Sequence, residues 1–469
     1  MPKIHVRRAP LVGVAAALVA LPLAAQASTL GPDPVIPSDL TVSVEYVTTM
    51  PVEVGPTSRP NLASPVTVKN KLYLIDQQAS IYRVNDKVEV QQVFDIGEAP
   101  DGLTLDNRNS ILNIAPGPTK NSMYVAFTSG TAPTSGVPIY RLPAPLPGQC
   151  CNPAAPVPVD DLYRIGVPPP GSPYGPTRTE FQVIYQYDIR GDSLANPSPI
   201  AAFETQSGAT HNGGGMVRLD DGRLLFATGD ALPEGTDGRA APQDPSEVVG
   251  KLLIVDPDNG SIELAAVGVR NVQRIEHSPD GRYLGFADIG AATAEEINYI
   301  AVDDVLDTSV VENFGWGRNA DGYGREGTFY VGPGIALVPF TNPPAVAAAP
   351  VPEPGFRQPQ SQYGRENPFS FVAVSGPVTS DKSFDELTAV FTDLSTGRAY
   401  GSVAGPDQIN SPVLGLNLVE PDGTPIADGF NTLADGRADP RLFRFPDGTA
   451  GVLLEATGDL YRLTEVAPG

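Results

Sequence analysis

KLYLIDQQASIYRV at residues 71–84 is echoed near the other end of the chain by VLLEATGDLYRLT at residues 452–464. Each stretch is a β-forming run, a short turn and a second β-forming run, so the two read as copies of one hairpin unit. Between them the same grammar recurs. RLLFAT (223–228) follows Asp220-Asp221-Gly222, and KLLIV (251–255) precedes Pro257-Asp258-Asn259-Gly260. RYLGFA (282–287) follows Pro279-Asp280-Gly281, and Pro446-Asp447-Gly448 leads into VLLE (452–455). Asp-Gly turns between β-rich runs are hairpin signals, because the turn needs residues that tolerate positive φ. Long amphipathic helical patterns are scarce, and 48 glycines and 50 prolines are spread along the chain. Spaced hairpins with a repeated unit imply an all-β protein with radial repetition, a β-propeller, which protects sheet edges. A chain of 469 residues is large for a single β-sandwich.

The first residues read as an export segment. His5, Arg7 and Arg8 precede the apolar run Leu11–Ala25, and Ala25-Gln26-Ala27 is a small-residue cleavage pattern. Pro10 and Pro22 leave the run too short to span a bilayer. Cleavage after Ala27 is expected, with periplasmic or secreted localisation. Loss of Lys3, Arg7 and Arg8 then moves the net charge from −23 to −26. So acidic a chain argues against nucleic acid and anionic lipid as partners, and no other stretch is apolar enough to cross a membrane. The two cysteines, Cys150 and Cys151, are adjacent and cannot staple distant elements. We expect a signal peptide over 1–27, a lead-in segment over 28–60 and one propeller over 61–469. Pro-rich loops are expected at 143–177 and 342–360. Arg190-Gly191-Asp192-Ser193 and Asp256–Gly260 read as hairpin turns, not as a recognition motif and a calcium loop.

Beyond the export segment the chain has two histidines. His277, in Glu276-His277-Ser278-Pro279-Asp280-Gly281, is expected at the surface. His211 stands before Asn212 and three glycines, Gly213 to Gly215, which let a ligand approach backbone closely while the imidazole acts as a base near neutral pH. A tight loop whose histidine merely bonds to backbone carries the same residues.

The wider context resembles the glucose/sorbosone dehydrogenases, soluble sugar dehydrogenases that use pyrroloquinoline quinone (PQQ). HNGGGMVRLDDGRLLFATGD (211–230) is similar to that family's H-x-G-G-x-L…D-G-x-L-Y…G-D block. In order follow GKLLIVDPD (250–258), GVRN (268–271), DIGAATAEEIN (288–298) and NFGW (313–316), each resembling a family block. The resemblance implies a six-bladed β-propeller and an oxidoreductase oxidising an aldose or similar alcohol by hydride transfer to the quinone, with electrons passed to an external acceptor. It implies that His211 is the catalytic base, that Arg270, Asn271 and Arg437 bind PQQ, and that the carbonyls of Gly290 and Ala291 hold the cofactor calcium. Glu296 would fall at a second, structural calcium. The chain departs from the pattern at Pro100, Ile289, Ala291, Ser395 and Asp439, the last replacing the second arginine of an R-x-R-D motif. Those departures keep a second expectation open: a propeller without cofactor that binds carbohydrate or protein.

Overall fold

The computed structural model describes residues 35–50, 62–77, 80–85, 87–95, 97, 99–100, 103, 111–130, 139–140, 178–207, 211–230, 241–244, 247–290, 294–317, 324–326, 329–331, 356–364, 374–379, 384, 386–403, 405–409 and 411–466. The export segment, Cys150-Cys151, Ala291, the expected loop 143–177 and most of 342–360 lie outside them. Among the described residues two short α-helices, Val302–Leu306 and Phe430–Leu433, accompany 28 strands, so the all-β expectation holds.

Local turn chemistry makes the hairpins. At Asp221-Gly222 the backbone N–H of Gly222 reaches the Leu219 carbonyl, while the Asp221 side chain accepts from the Arg223 N–H at 3.0 Å. Gly222 has φ +98°, a conformation that costs glycine no Cβ clash. At Asp256–Gly260 the Asp256 carboxylate accepts from the Asp258 N–H and the Asn259 amide, so it is spent on the turn. Arg190 pairs with Ser193 across Gly191-Asp192, a two-residue hairpin loop.

The strands form four sheets of four or five strands, one sheet of eight, and a two-stranded ribbon. Consecutive sheets pack face to face, each through its own apolar core. Ile75 and Phe94 of the first sheet meet Ile114 and Phe127 of the second. Leu112 and Phe203 of the second pack with Phe226 and Leu253 of the third, with Phe203 and Phe226 stacked at 5.5 Å. Leu225 and Ile254 meet Phe286 and Ile300 of the fourth sheet, and Ile297 and Tyr363 meet Val378 and Phe391 of the fifth. The ring then closes, because Phe443, Leu453 and Leu460 of the last sheet pack against Leu72 and Leu74 of the first. The two echoing hairpins that open and end the ring thus share one core. Sheets covered on both faces need strands that are apolar throughout, and Leu224–Thr228 and Lys251–Val255 are buried at every position.

The architecture is propeller-like, but the expectation of six separate blades is corrected. The strand Ile36–Thr49 pairs parallel with Leu414–Val419 on one edge and antiparallel with Asp459–Val466 on the other. It thereby fuses the strands Val374–Val419 and Pro440–Val466 into the single eight-stranded sheet. Unpaired edge groups drive this: a strand with both ladders satisfied leaves no seam between the two units.

Candidate active site

The site is assembled at one end of the third and fourth sheets. His211 precedes the strand Gly213–Arg218 and has φ +60°. A left-handed histidine is uncommon, and the surroundings hold it there. The Asn212 carbonyl accepts from the Gly229 N–H and from the Gln182 amide at 2.6 Å. The chain passes so close at Gly229 that a Cβ there would lie 1.5 Å from the His211 carbonyl oxygen. Gly229 therefore lets Asp230, just beyond the strand Leu224–Thr228, sit beside the imidazole.

Asp230 is buried and uses both oxygens. Oδ1 lies 3.0 Å from His211 Nδ1, and Oδ2 accepts from Trp316 Nε1 at 3.0 Å. Burial works against the anion, but the hydrogen bond and charge of His211, the Arg270 charge and the Trp316 hydrogen bond outweigh it and hold the carboxyl below its usual range. Arg270 completes the cluster. Its Nη2 lies 3.1 Å from His211 Nε2, and its Nη1 donates to the carbonyls of Ile289 and Gly290 at 2.8 Å each. A guanidinium has only donors, so Nε2 must accept and Nδ1 must carry the proton that faces Asp230. The uncharged imidazole is thus held as the tautomer with its lone pair on Nε2. The Arg270 guanidinium also lies 5.3 Å from the Trp316 ring centroid, a cation–π contact with the chain's single tryptophan.

Backbone positions are set by buried acids. Asp288 accepts from the N–H groups of Arg270 and Asn271, the shortest contact being 2.7 Å. Burial, then the charge of Glu296 directly across the ladder, pushes the Asp288 carboxyl up to about 7. Glu295 accepts from the N–H groups of Gly290 and Val374 at 3.1 Å each, and burial pushes its carboxyl well above the usual range. Asn271 Oδ1 accepts from the Gly213 N–H, tying this turn to the histidine strand.

The expected site residues therefore divide. His211, Arg270, Asn271 and Gly290 come together, and Glu296 lies beside them, lining with Arg270, Asp288 and Trp316 a cavity of about 10 Å³, room for one water. Arg437 is engaged elsewhere: its Nη2 and Nε bond Asp439 Oδ1 at 2.6 and 2.9 Å. His277 is half-buried at the end of a strand, not in an exposed turn, and bonds the Arg218 carbonyl at 3.0 Å. A groove of about 1150 Å³ along Leu414–Val419 includes none of these residues. Asp230, Trp316 and Asp288 also contact this cluster; reading by residue type passes over them, although Asp230 and Trp316 end two of the quoted blocks.

These residues do not fit PQQ with its calcium in the described arrangement. The Gly290 carbonyl, one of the two expected calcium ligands, is taken by a guanidinium, and that guanidinium is itself one of the expected cofactor contacts. Among the described residues no group of three or more His, Cys, Asp or Glu side chains is arranged to hold a metal. Arg437 is neutralised by Asp439, which leaves less positive charge for a tricarboxylate.

No family model and no curated protein sequence matches the chain. Solved structures do. The soluble aldose sugar dehydrogenase of Escherichia coli, in its apo form, aligns with 91% of this chain and 100% of its own at TM-score 0.54 and 15% identity. The PQQ-bound aldose sugar dehydrogenase of Streptomyces coelicolor aligns with 91% of this chain and 99% of its own at TM-score 0.51 and 17% identity. An oxidoreductase (glucose dehydrogenase) structure from Thermus thermophilus covers 90% of this chain and 99% of its own at TM-score 0.53 and 14% identity. At such identities the likeness is one of fold, and the fold is that of the soluble sugar dehydrogenases the sequence blocks resemble.

Proposed function

We propose, from a chain with the fold of the soluble sugar dehydrogenases, an exported oxidoreductase that oxidises the CH–OH group of an aldose or similar polyol. The observation that carries this reading is the Asp230–His211 pair, with the imidazole lone pair held on Nε2. A hydroxyl proton passes to Nε2, the carbon's hydride leaves to a two-electron acceptor, and C=O forms. Asp230 stabilises the imidazolium that results, as a buried carboxylate does for a histidine base. The sequence blocks and the fold support PQQ as the acceptor; the Arg270–Gly290 contact and the Arg437–Asp439 pair oppose it, and they favour the second reading, a propeller that binds carbohydrate without catalysis.

Reconstitution separates the two. Purified protein is given PQQ, with and without calcium, and aldose oxidation is followed with an artificial acceptor. The enzyme reading expects saturable turnover and a rise in melting temperature on ligand binding. Saturable sugar binding with no turnover at high micromolar PQQ would establish the binder. Export predicts a mature amino terminus at Ser28, which mass spectrometry of the secreted protein reads directly; retention of residues 1–27 would remove it.

A further inference from the structure

We propose that Arg270 is the built-in cation of this site, standing on the backbone carbonyls where a divalent ion would stand, and that it stabilises the developing alkoxide without a metal. Three contacts of one guanidinium lead there. Nη1 lies 2.8 Å from both the Ile289 and the Gly290 carbonyl, oxygen ligands of the kind calcium takes. Nη2 lies 3.1 Å from His211 Nε2, so a donor and an acceptor face one another at the base. A hydroxyl that replaces this direct contact, the two nitrogens parting to admit it, donates its proton to Nε2 and accepts from Nη2. As that proton moves, the negative charge grows on an oxygen already facing a cation, which is how a preorganised donor lowers a barrier. The guanidinium is kept beside the base: its side chain is only 11% exposed, Asp230 Oδ2 lies 4.0 Å from Nε, and the Trp316 ring flanks it. Asp288 fixes the backbone beneath it through the Arg270 and Asn271 N–H groups.

The kinetic half of this inference rests on the proposed oxidation; the metal half does not. Terbium is the probe for the second, because excitation at the red edge selects the single tryptophan, Trp316, which sensitises an ion bound nearby. The full-length wild-type protein is expected to give no saturable Trp316-sensitised emission. Arg270→Ala uncovers the carbonyls, and emission should rise at least about tenfold and be displaced by calcium. Arg270→Lys is expected to stay dark, since an ammonium can occupy the same oxygens, and circular dichroism establishes that both variants fold. Micromolar terbium binding by the wild-type protein at this position, or no binding by a folded Arg270→Ala, would overturn the assignment. In the turnover assay, chelator should leave the wild type within about twofold, while Arg270→Ala falls at least about a hundredfold and partly recovers with calcium. Loss of wild-type turnover on chelation, restored by calcium, would refute the catalytic role. Absence of turnover in every sample would refute the oxidation and its kinetic half, and leave the metal assignment to the terbium result.

Discussion

Replacing Asp230 by Asn keeps the shape of the side chain and removes one acceptor. In the native arrangement His211 Nδ1–H and Trp316 Nε1–H each point at a separate carboxylate oxygen at 3.0 Å. An amide has one oxygen, so one of the two donors must face an NH2 group. A buried donor without a partner costs about 1–3 kcal/mol, and the surviving bond loses its charge assistance, so we expect a total loss of about 2–4 kcal/mol. Chemical denaturation measures that loss, and the emission of Trp316 should shift at the same time because its indole N–H changes partner. If the amide nitrogen faces His211 instead, Nδ1 becomes the acceptor and Nε2 carries the proton, which is the wrong tautomer for a base. Turnover should then fall by about 10²–10⁴-fold with little change in KM. A variant within about 0.5 kcal/mol of the wild type that keeps more than half its turnover would refute the role assigned to Asp230.

Other perturbations follow from neighbouring contacts. The raised Asp288 carboxyl means that the folded state holds a proton which the unfolded state releases near pH 4. The unfolded state binds fewer protons between about pH 4 and 7, so stability should fall as pH rises through that window, and Asp288→Asn should flatten the profile. Gly229→Ala places a methyl group against the His211 carbonyl, and we expect a loss of more than about 3 kcal/mol in denaturation or failure to fold. Asp439→Asn keeps a residue that tolerates φ +46° and frees the Arg437 guanidinium, so PQQ affinity measured by Trp316 quenching should rise by about tenfold.

The hairpins were legible because their cause is local: Asp221-Gly222, Asp280-Gly281 and Asp447-Gly448 carry the turn chemistry within a few residues. The fusion of the last strands was not. Ile36–Thr49 has no clean alternation, and its partners, Leu414–Val419 and Asp459–Val466, are more than 350 residues away, so nothing near it specifies the pairing. In the site, His211 stands out by residue type before three glycines, and Arg270 and Asn271 through the resemblance of their block to a known family. What they touch was hidden. The occupant of the Gly290 carbonyl depends on where an arginine from another strand connection ends, and backbone acceptors leave no trace in the side-chain pattern. The sequence marks Asp439 only as the replacement of an arginine in an R-x-R-D motif; the structure shows it acting on Arg437, its neighbour two residues away.

The claim that organises the site is that His211 Nε2 is the proton acceptor. Its direct test is His211→Gln in the reconstituted aldose assay, beside circular dichroism and Trp316 emission, because glutamine can still bond Asp230 or Arg270 but cannot take a proton. We predict a folded protein with native-like emission that still binds sugar, with kcat lowered by about 10²–10⁴-fold. A folded His211→Gln variant within about tenfold of wild-type turnover would contradict the account.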